Sequence, residues 1–243
     1  MQFTRSDLKI YSSLNRKSKR EQYGLFIAEG IKACKELIDS EIPIKALLST
    51  EENNHIFKNS ILISGKDAQR ISNQKNHSGV IAIGELPKKN NPKVDPKKDV
   101  IVLENINDPG NLGTILRTLD WFGFSQVVCS KNSVDSFNPK TIMASMGSVF
   151  RLQPIYTDIS TFVKQTDSEI YGAFMEGKSI YDIKFNQPST IIFGNESNGI
   201  SSDLQSIVNT KIAIPGKGTA ESLNLSNSCS IVVSELFRQR LTN

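Results

Sequence analysis

Cysteine, histidine and tryptophan are scarce in this chain, and each scarcity narrows its chemistry. Among 243 residues there are three cysteines, two histidines and one tryptophan. Cys34, Cys129 and Cys229 lie far apart, are odd in number and form no CxxC pair, so neither a disulfide framework nor a metal site is expected. Cys129 and Cys229 fall in apolar runs and read as small core side chains. No run of about 18 apolar residues occurs, so no membrane span is expected. The stretch from Met1 to Asp7 lacks the apolar core of a signal peptide, which points to the cytoplasm. Neither a GxGxxG fingerprint nor a GxxxxGK[ST] loop is present, which argues against a dinucleotide fold and a P-loop enzyme.

What is present is an ordinary globular composition, 38% apolar and 22% charged, with length for one large domain or two modest ones. The formal charge of +4 hides an asymmetry. Residues 1–99 hold 18 Lys and Arg against 12 Asp and Glu, whereas the remainder carries a slight acidic excess. The densest cluster is Arg16-Lys17-Ser18-Lys19-Arg20. A basic module beside a near-neutral one suggests that the first meets a polyanion, although a charge run is equally consistent with a solvated face.

Residues Leu86 to Asp99 contain three prolines and five lysines and little that is apolar, so they read as a linker. The expected division is therefore 1–85, a linker over 86–99, and 100–243. Before the linker, helical spacing over Ser6–Asn15 and Gly30–Ser40 alternates with short apolar runs at 44–48, 61–63 and 80–83, and Gly65–Asn73 is a further candidate helix. After it, strands at Val100–Leu103, Gln126–Cys129, Ile170–Phe174, Thr190–Phe193 and Lys211–Ile214 alternate with helices at Leu112–Phe122, Pro139–Met146, Ser202–Ile207 and Ser226–Leu241. Continuous apolar strands separated by helices predict an α/β domain with a parallel sheet, whose ligands bind at the carboxyl ends of the strands.

Three loops stand at such ends. They are Asp108-Pro109-Gly110-Asn111-Leu112-Gly113, Gly194-Asn195-Glu196-Ser197-Asn198-Gly199, and the stretch from Pro215 through Ser222-Leu223-Asn224-Leu225-Ser226. Loops rich in Gly, Asn and Ser let main-chain groups approach a ligand closely. Taken singly, the first also reads as a tight turn.

Together they carry a resemblance. Asn105-x-x-Asp108-Pro109-x-Asn111-x-Gly113-x-x-x-Arg117-Thr118, Gly194-x-Glu196-x-x-Gly199-Ile200, and Ile214-Pro215 with Ser222-Leu223-Asn224-x-Ser226 follow in order the three motifs of the SpoU (TrmH) family of SPOUT methyltransferases. Leu119 and Gly216 depart from the usual Ala and Met without removing a polar group. Phe26-Ile27-Ala28-Glu29-Gly30 and Asn76-His77-Ser78-Gly79-Val80 are similar to patterns of the small α/β ribosomal-protein-like RNA-binding domain found in many members.

That resemblance implies S-adenosylmethionine as cofactor, 2′-O-methylation of a ribose in RNA, a C-terminal trefoil knot and a homodimer with a shared active site. It favours ribosomal RNA, with transfer RNA or an idle RNA-binding role as alternatives. It places the cofactor against Ala173, Phe174, Met175, Gly194, Ile214 and Leu223, with Asn224 and Ser226 shaping the pocket. Ser226 is equally a candidate N-cap of the last helix. Arg117, Asn111 and Glu196 become the catalytic candidates. The resemblance gives Arg117 the central role. A guanidinium stays protonated in proteins, which favours a phosphate and oxyanion clamp and leaves a role as base open. Glu196 either orients the catalytic loop or satisfies main-chain N–H groups. His55 and His77, in the other module, read as surface or RNA-contacting residues.

Overall fold

A computed structural model describes residues 3–88 and 94–241. The chain forms two compact units, residues 1–90 with 135–151 and residues 91–134 with 152–243.

In chain order the first unit begins with α1 (Arg5–Tyr11), α2 (Lys17–Tyr23), β1 (Leu25–Glu29), α3 (Ile31–Ile38) and β2 (Ile44–Ser49). It continues with β3 (Ile61–Leu62), α4 (Gly65–Ile71) and β4 (Val80–Glu85). A capping box starts α1, with Thr4 Oγ1 accepting from the Asp7 N–H and Asp7 accepting from the Thr4 N–H. The sheet runs β1-β4-β2-β3, antiparallel except for the β2–β3 pair. Leu8, Leu14, Ile27, Leu48, Ile71 and Ile81 form its core.

The second unit contains β5 (Val100–Leu103), α5 (Pro109–Trp121) and β6 (Val127–Ser130). Then α6 (Pro139–Ser145) belongs to the first unit, where Phe137 and Phe150 lie 4.7 and 5.9 Å from Phe26, ring centre to ring centre. This differs from the division expected from sequence, which keeps 135–151 with the C-terminal domain, because nothing local marks where an apolar segment will pack. The second unit resumes with β7 (Ile155–Thr157), α7 (Ile159–Lys164), β8 (Glu169–Ser179) and β9 (Ser189–Phe193). It closes with α8 (Ser202–Gln205), β10 (Thr210–Ala213) and α9 (Leu225–Leu241). Its six strands are all parallel, in the order β10-β8-β9-β5-β6-β7. Strands β5 and β9 are buried along their whole length. β5 is apolar throughout, and β9 opens on Ser189 and Thr190, whose polar groups are hydrogen-bonded, before Ile191-Ile192-Phe193.

Four elements go beyond the sequence reading. Helix α2 has no apolar stripe to reveal it, and β7 has three residues and α7 six, while β1 carries an apolar run as long as that of β5 to which the sequence reading assigns no strand. Residues 89–93 of the expected linker lie outside the described residues. Past them, the Asp95 N–H donates to Gln126 Oε1 at 2.5 Å, which ties the end of that stretch to the second unit. No helix among the described residues is long and apolar enough to cross a membrane.

Candidate active site

Strands β10, β8, β9 and β5 lie in that order in the sheet. Gly194, Glu196, Ile214, Leu223 and Asn224 stand in loops that leave β9 and β10, Ala173, Phe174 and Met175 in β8, Asn111 and Arg117 in α5, and Ser226 in α9. The loop after β5 turns directly into α5. Asp108 is the N-cap, accepting from the Asn111 N–H at 2.7 Å, and Pro109 takes the first helical position. The Asp-Pro-Gly stretch is thus a helix start rather than a free turn, and its cap is worth about 1 kcal/mol. The arrangement also presents the Asn111 side chain at the mouth of the sheet.

There Asn111 joins the three motifs. Its Nδ2 donates to Glu196 Oε1 at 2.9 Å, and its Oδ1 accepts from Asn224 Nδ2 at 3.0 Å. Asn224 Oδ1 in turn accepts from the Ser226 N–H at 2.9 Å and from Ser226 Oγ at 2.6 Å. Because each amide has one donating and one accepting partner, the network itself sets its orientation. Asn224, not Ser226, caps α9: its Oδ1 takes the first free N–H groups, and Ser226 lies inside the helix. Glu196 accepts from a side chain of another motif.

The second motif bends tightly. A Cβ on Gly194 would stand 2.1 Å from the Gly199 carbonyl carbon, so glycine is required there by close main-chain approach. Glu104, buried at the end of β5, accepts from the Ser201 N–H at 2.8 Å and holds the exit of the loop. Sequence reading gives Glu104 no role. An acid directly after Val-Ile-Val-Leu is the available signal, since a buried carboxylate needs donors.

In β8 the ladder to β10 jumps: Gly172 pairs with Lys211, and Lys178 with Ile212. Ala173, Phe174 and Met175 occupy the stretch between. Lys211 Nζ stands 4.9 Å from the centre of the Phe174 ring. Met175 and Leu223 are exposed apolar side chains, with Phe174 and Ile214 half-buried in the same set of loops. Uncovered apolar side chains among main-chain-rich loops suit a flat heteroaromatic ring such as adenine.

Arg117 is exposed and makes no hydrogen bond or ion pair with a described residue. It lines an open cleft of about 640 Å³ between α5 and α9, with Trp121, Tyr181, Ile231 and Glu235. Trp121 is 84% exposed. The side chains of Thr118 and Ser230 hydrogen-bond at 3.1 Å and join the two helices. Asn111, Glu196, Asn224 and Ser226 are therefore gathered into one network, while Arg117 stands on the adjoining helix flank. Among the described residues no cluster suited to a metal ion occurs. All three thiols are buried, and burial pushes Cys34 up to about 12 and raises Cys129 and Cys229 as well.

Residues 98–234 match the SpoU rRNA Methylase family, and residues 6–82 match the MRM3-like substrate binding domain. The 23S rRNA (guanosine(2553)-2′-O)-methyltransferase RlmP of Bacillus subtilis is 26% identical over 94% of this chain and 95% of its own length. The tRNA (guanosine(18)-2′-O)-methyltransferase of Thermus thermophilus is 28% identical over 58% of this chain and 75% of its own. Among solved structures, the AdoMet-bound rRNA methyltransferase of Sinorhizobium meliloti superposes with a TM-score of 0.85 at 25% identity, covering 98% of this chain and 96% of that one. The matched family takes in more than half of the chain, including all three motif loops, and this protein belongs to the SpoU rRNA methylase family.

Proposed function

We propose that this protein methylates a ribose 2′-hydroxyl of ribosomal RNA with S-adenosylmethionine, acting as a homodimer in the cytoplasm. The observation that carries the reading is the hydrogen-bonded chain Glu196–Asn111–Asn224–Ser226, which links the segments that follow β5, β9 and β10 of the parallel sheet. The choice of ribosomal RNA is supported by RlmP, which matches along nearly the whole chain, whereas the transfer-RNA enzyme matches little more than half of it. The match over 6–82 supports a substrate-binding role for the first unit. A boundary in the linker and the threading of the C-terminal segment implied by the family belong to the same reading.

The cofactor rests on main-chain groups of the 173–175 stretch, Gly194, Ile214 and Leu223, with Phe174 and Met175 as apolar walls. Bound S-adenosylmethionine supplies an electrophilic methyl group. Asn224 and Ser226 keep the third loop closed at the start of α9. Glu196 fixes Asn111, whose amide positions the substrate hydroxyl. Arg117, a donor-only group on an exposed helix flank, holds an RNA phosphate and stabilises the negative charge that develops on the attacking 2′-oxygen as its proton passes to solvent water. The apolar walls of its cleft, Trp121 and Ile231, support covering by a second copy of the chain.

The test is methyl transfer from labelled S-adenosylmethionine to total RNA from cells lacking the gene, followed by mapping of 2′-O-methyl positions. A new mark in ribosomal RNA is the expected result. A mark confined to transfer RNA would overturn the substrate assignment. Cofactor affinity without transfer to any RNA would favour an idle binding protein.

A further inference from the structure

The loop that carries Glu196 hangs on two residues outside the Glu196–Asn111–Asn224 network. Asn195 Nδ2 donates to the main-chain oxygen of Asn105 at 2.7 Å. Its Oδ1 accepts from the N–H groups of Ser197 and Asn198 at 2.9 and 3.3 Å. The Asn195 main chain pairs both ways with Gly199, at 3.0 and 2.9 Å. Glu196 sits inside this closed turn and reaches out only through its side chain, to Asn111.

Asn105 is an unusual platform. Its φ is 52°, in the left-handed region that side-chain-bearing residues seldom occupy. Ser130, at the end of the neighbouring β6, holds it there, accepting from the Asn105 N–H at 2.8 Å and donating to Asn105 Oδ1 at 3.1 Å. Buried Ser133 hydrogen-bonds to Ser130 Oγ at 2.9 Å. The turn at Asn105 closely follows the ladder that ends at Leu103, and its carbonyl is the one that Asn195 grips. Such strained residues persist only where their surroundings over-determine them, and they concentrate at functional sites.

We propose that Asn195, seated on the left-handed Asn105, is a positioning residue for methyl transfer that sets the place of the Glu196 carboxylate and, through it, of the Asn111 amide. The proposal rests on the enzymatic reading above. Asn195 lies in a half-exposed loop outside the buried strands, so its removal leaves the sheet intact.

Asn195→Ala removes every side-chain bond, and Asn195→Asp keeps the acceptor while losing the donor to Asn105. Both are compared with Glu196→Ala and with the double variants, using labelled S-adenosylmethionine and RNA from cells lacking the gene. Displacing a reacting group by about 1 Å costs about 100-fold, so kcat should fall by up to about that factor in either single variant, with little change in KM for RNA. In the Glu196→Ala background, which removes the acceptor for Asn111 Nδ2, the same change should cost only a few-fold, because both act through one hydrogen bond. Deuterium uptake by main-chain amides of 194–200 should quicken in both Asn195 variants without any need for turnover. Asn105→Gly, which keeps the left-handed backbone and the carbonyl, should retain clearly more activity than Asn105→Val. Equal kcat losses in the two backgrounds, or unchanged deuterium uptake, overturn the positioning role while the enzyme reading stands. A parent protein that transfers no methyl overturns both.

Discussion

Both units tuck an arginine against a carboxylate, Arg20 on Asp135 and Arg240 on Asp99, but they differ in what gathers at their open edges. In the first, exposed cations flank a buried one: Arg20 is only 2% exposed, and its guanidinium donates to Asp135 Oδ2 at 2.6 and 3.0 Å and to the carbonyls of Leu14 and Asn15. In the second, neutral amides gather at the rim of a parallel sheet, where Asn105, Asn111, Asn195 and Asn224 tie loops together while their neighbours stay open. The lesson is that a run of like charges is not a single functional object. Arg20 belongs to the architecture, whereas Arg16 and Lys17 are exposed and Lys19 is half-exposed, all within four residues of it.

The contrast breaks most sharply at Arg117. Arg117→Ala should lower methyl transfer by about 100-fold or more, the scale of losing an oxyanion donor, with cofactor affinity held within a few-fold. Turnover near the parent level, measured beside calorimetric titration of S-adenosylmethionine, would return Arg117 to a surface role. A comparable loss in the first unit should come from structure instead. Arg20→Ala leaves Asp135 without its partner and should destabilise that unit by about 3–5 kcal/mol in denaturant unfolding, with the second unit's transition little changed.

Replacing Arg16, Lys17 and Lys19 together by Ala sharpens the same division. Stability should hold, while RNA affinity falls and its logarithmic salt slope shrinks by about 0.7–0.9 for each phosphate no longer neutralised. An unaltered slope would mark the three as a solvated face. A fragment beginning near Asp99 should still bind cofactor, yet it strips Phe137 and Phe150 of their packing against Phe26 and should bind a hydrophobic dye that the full chain does not. The smallest effect is expected at the thiols. Burial raises all three, so alkylation of the native protein by iodoacetamide at neutral pH should be negligible, and mass spectrometry before and after unfolding would show it.

Much of the second unit was legible because a buried parallel strand writes itself as a largely apolar run. Val100–Leu103 and Thr190–Phe193 stand as read, the latter with one residue more at its start. Lys17–Tyr23 escaped, because a polar helix carries no periodic signal. In the site, the three motifs located Asn111, Glu196 and Asn224, but no spacing revealed that these side chains touch one another, or that Asn195 and Glu104 hold the loop between them.

The sequence by itself determined the βα alternation, the loops at strand ends and the residue types available to them, since hydrophobic periodicity and turn chemistry act over a few neighbours. Only the tertiary structure decided that 135–151 joins the first unit, that Arg20 is buried against a partner 115 residues away, and that Asn105 turns left-handed on Ser130. Each of these depends on interactions between segments distant along the chain, which local propensities do not encode.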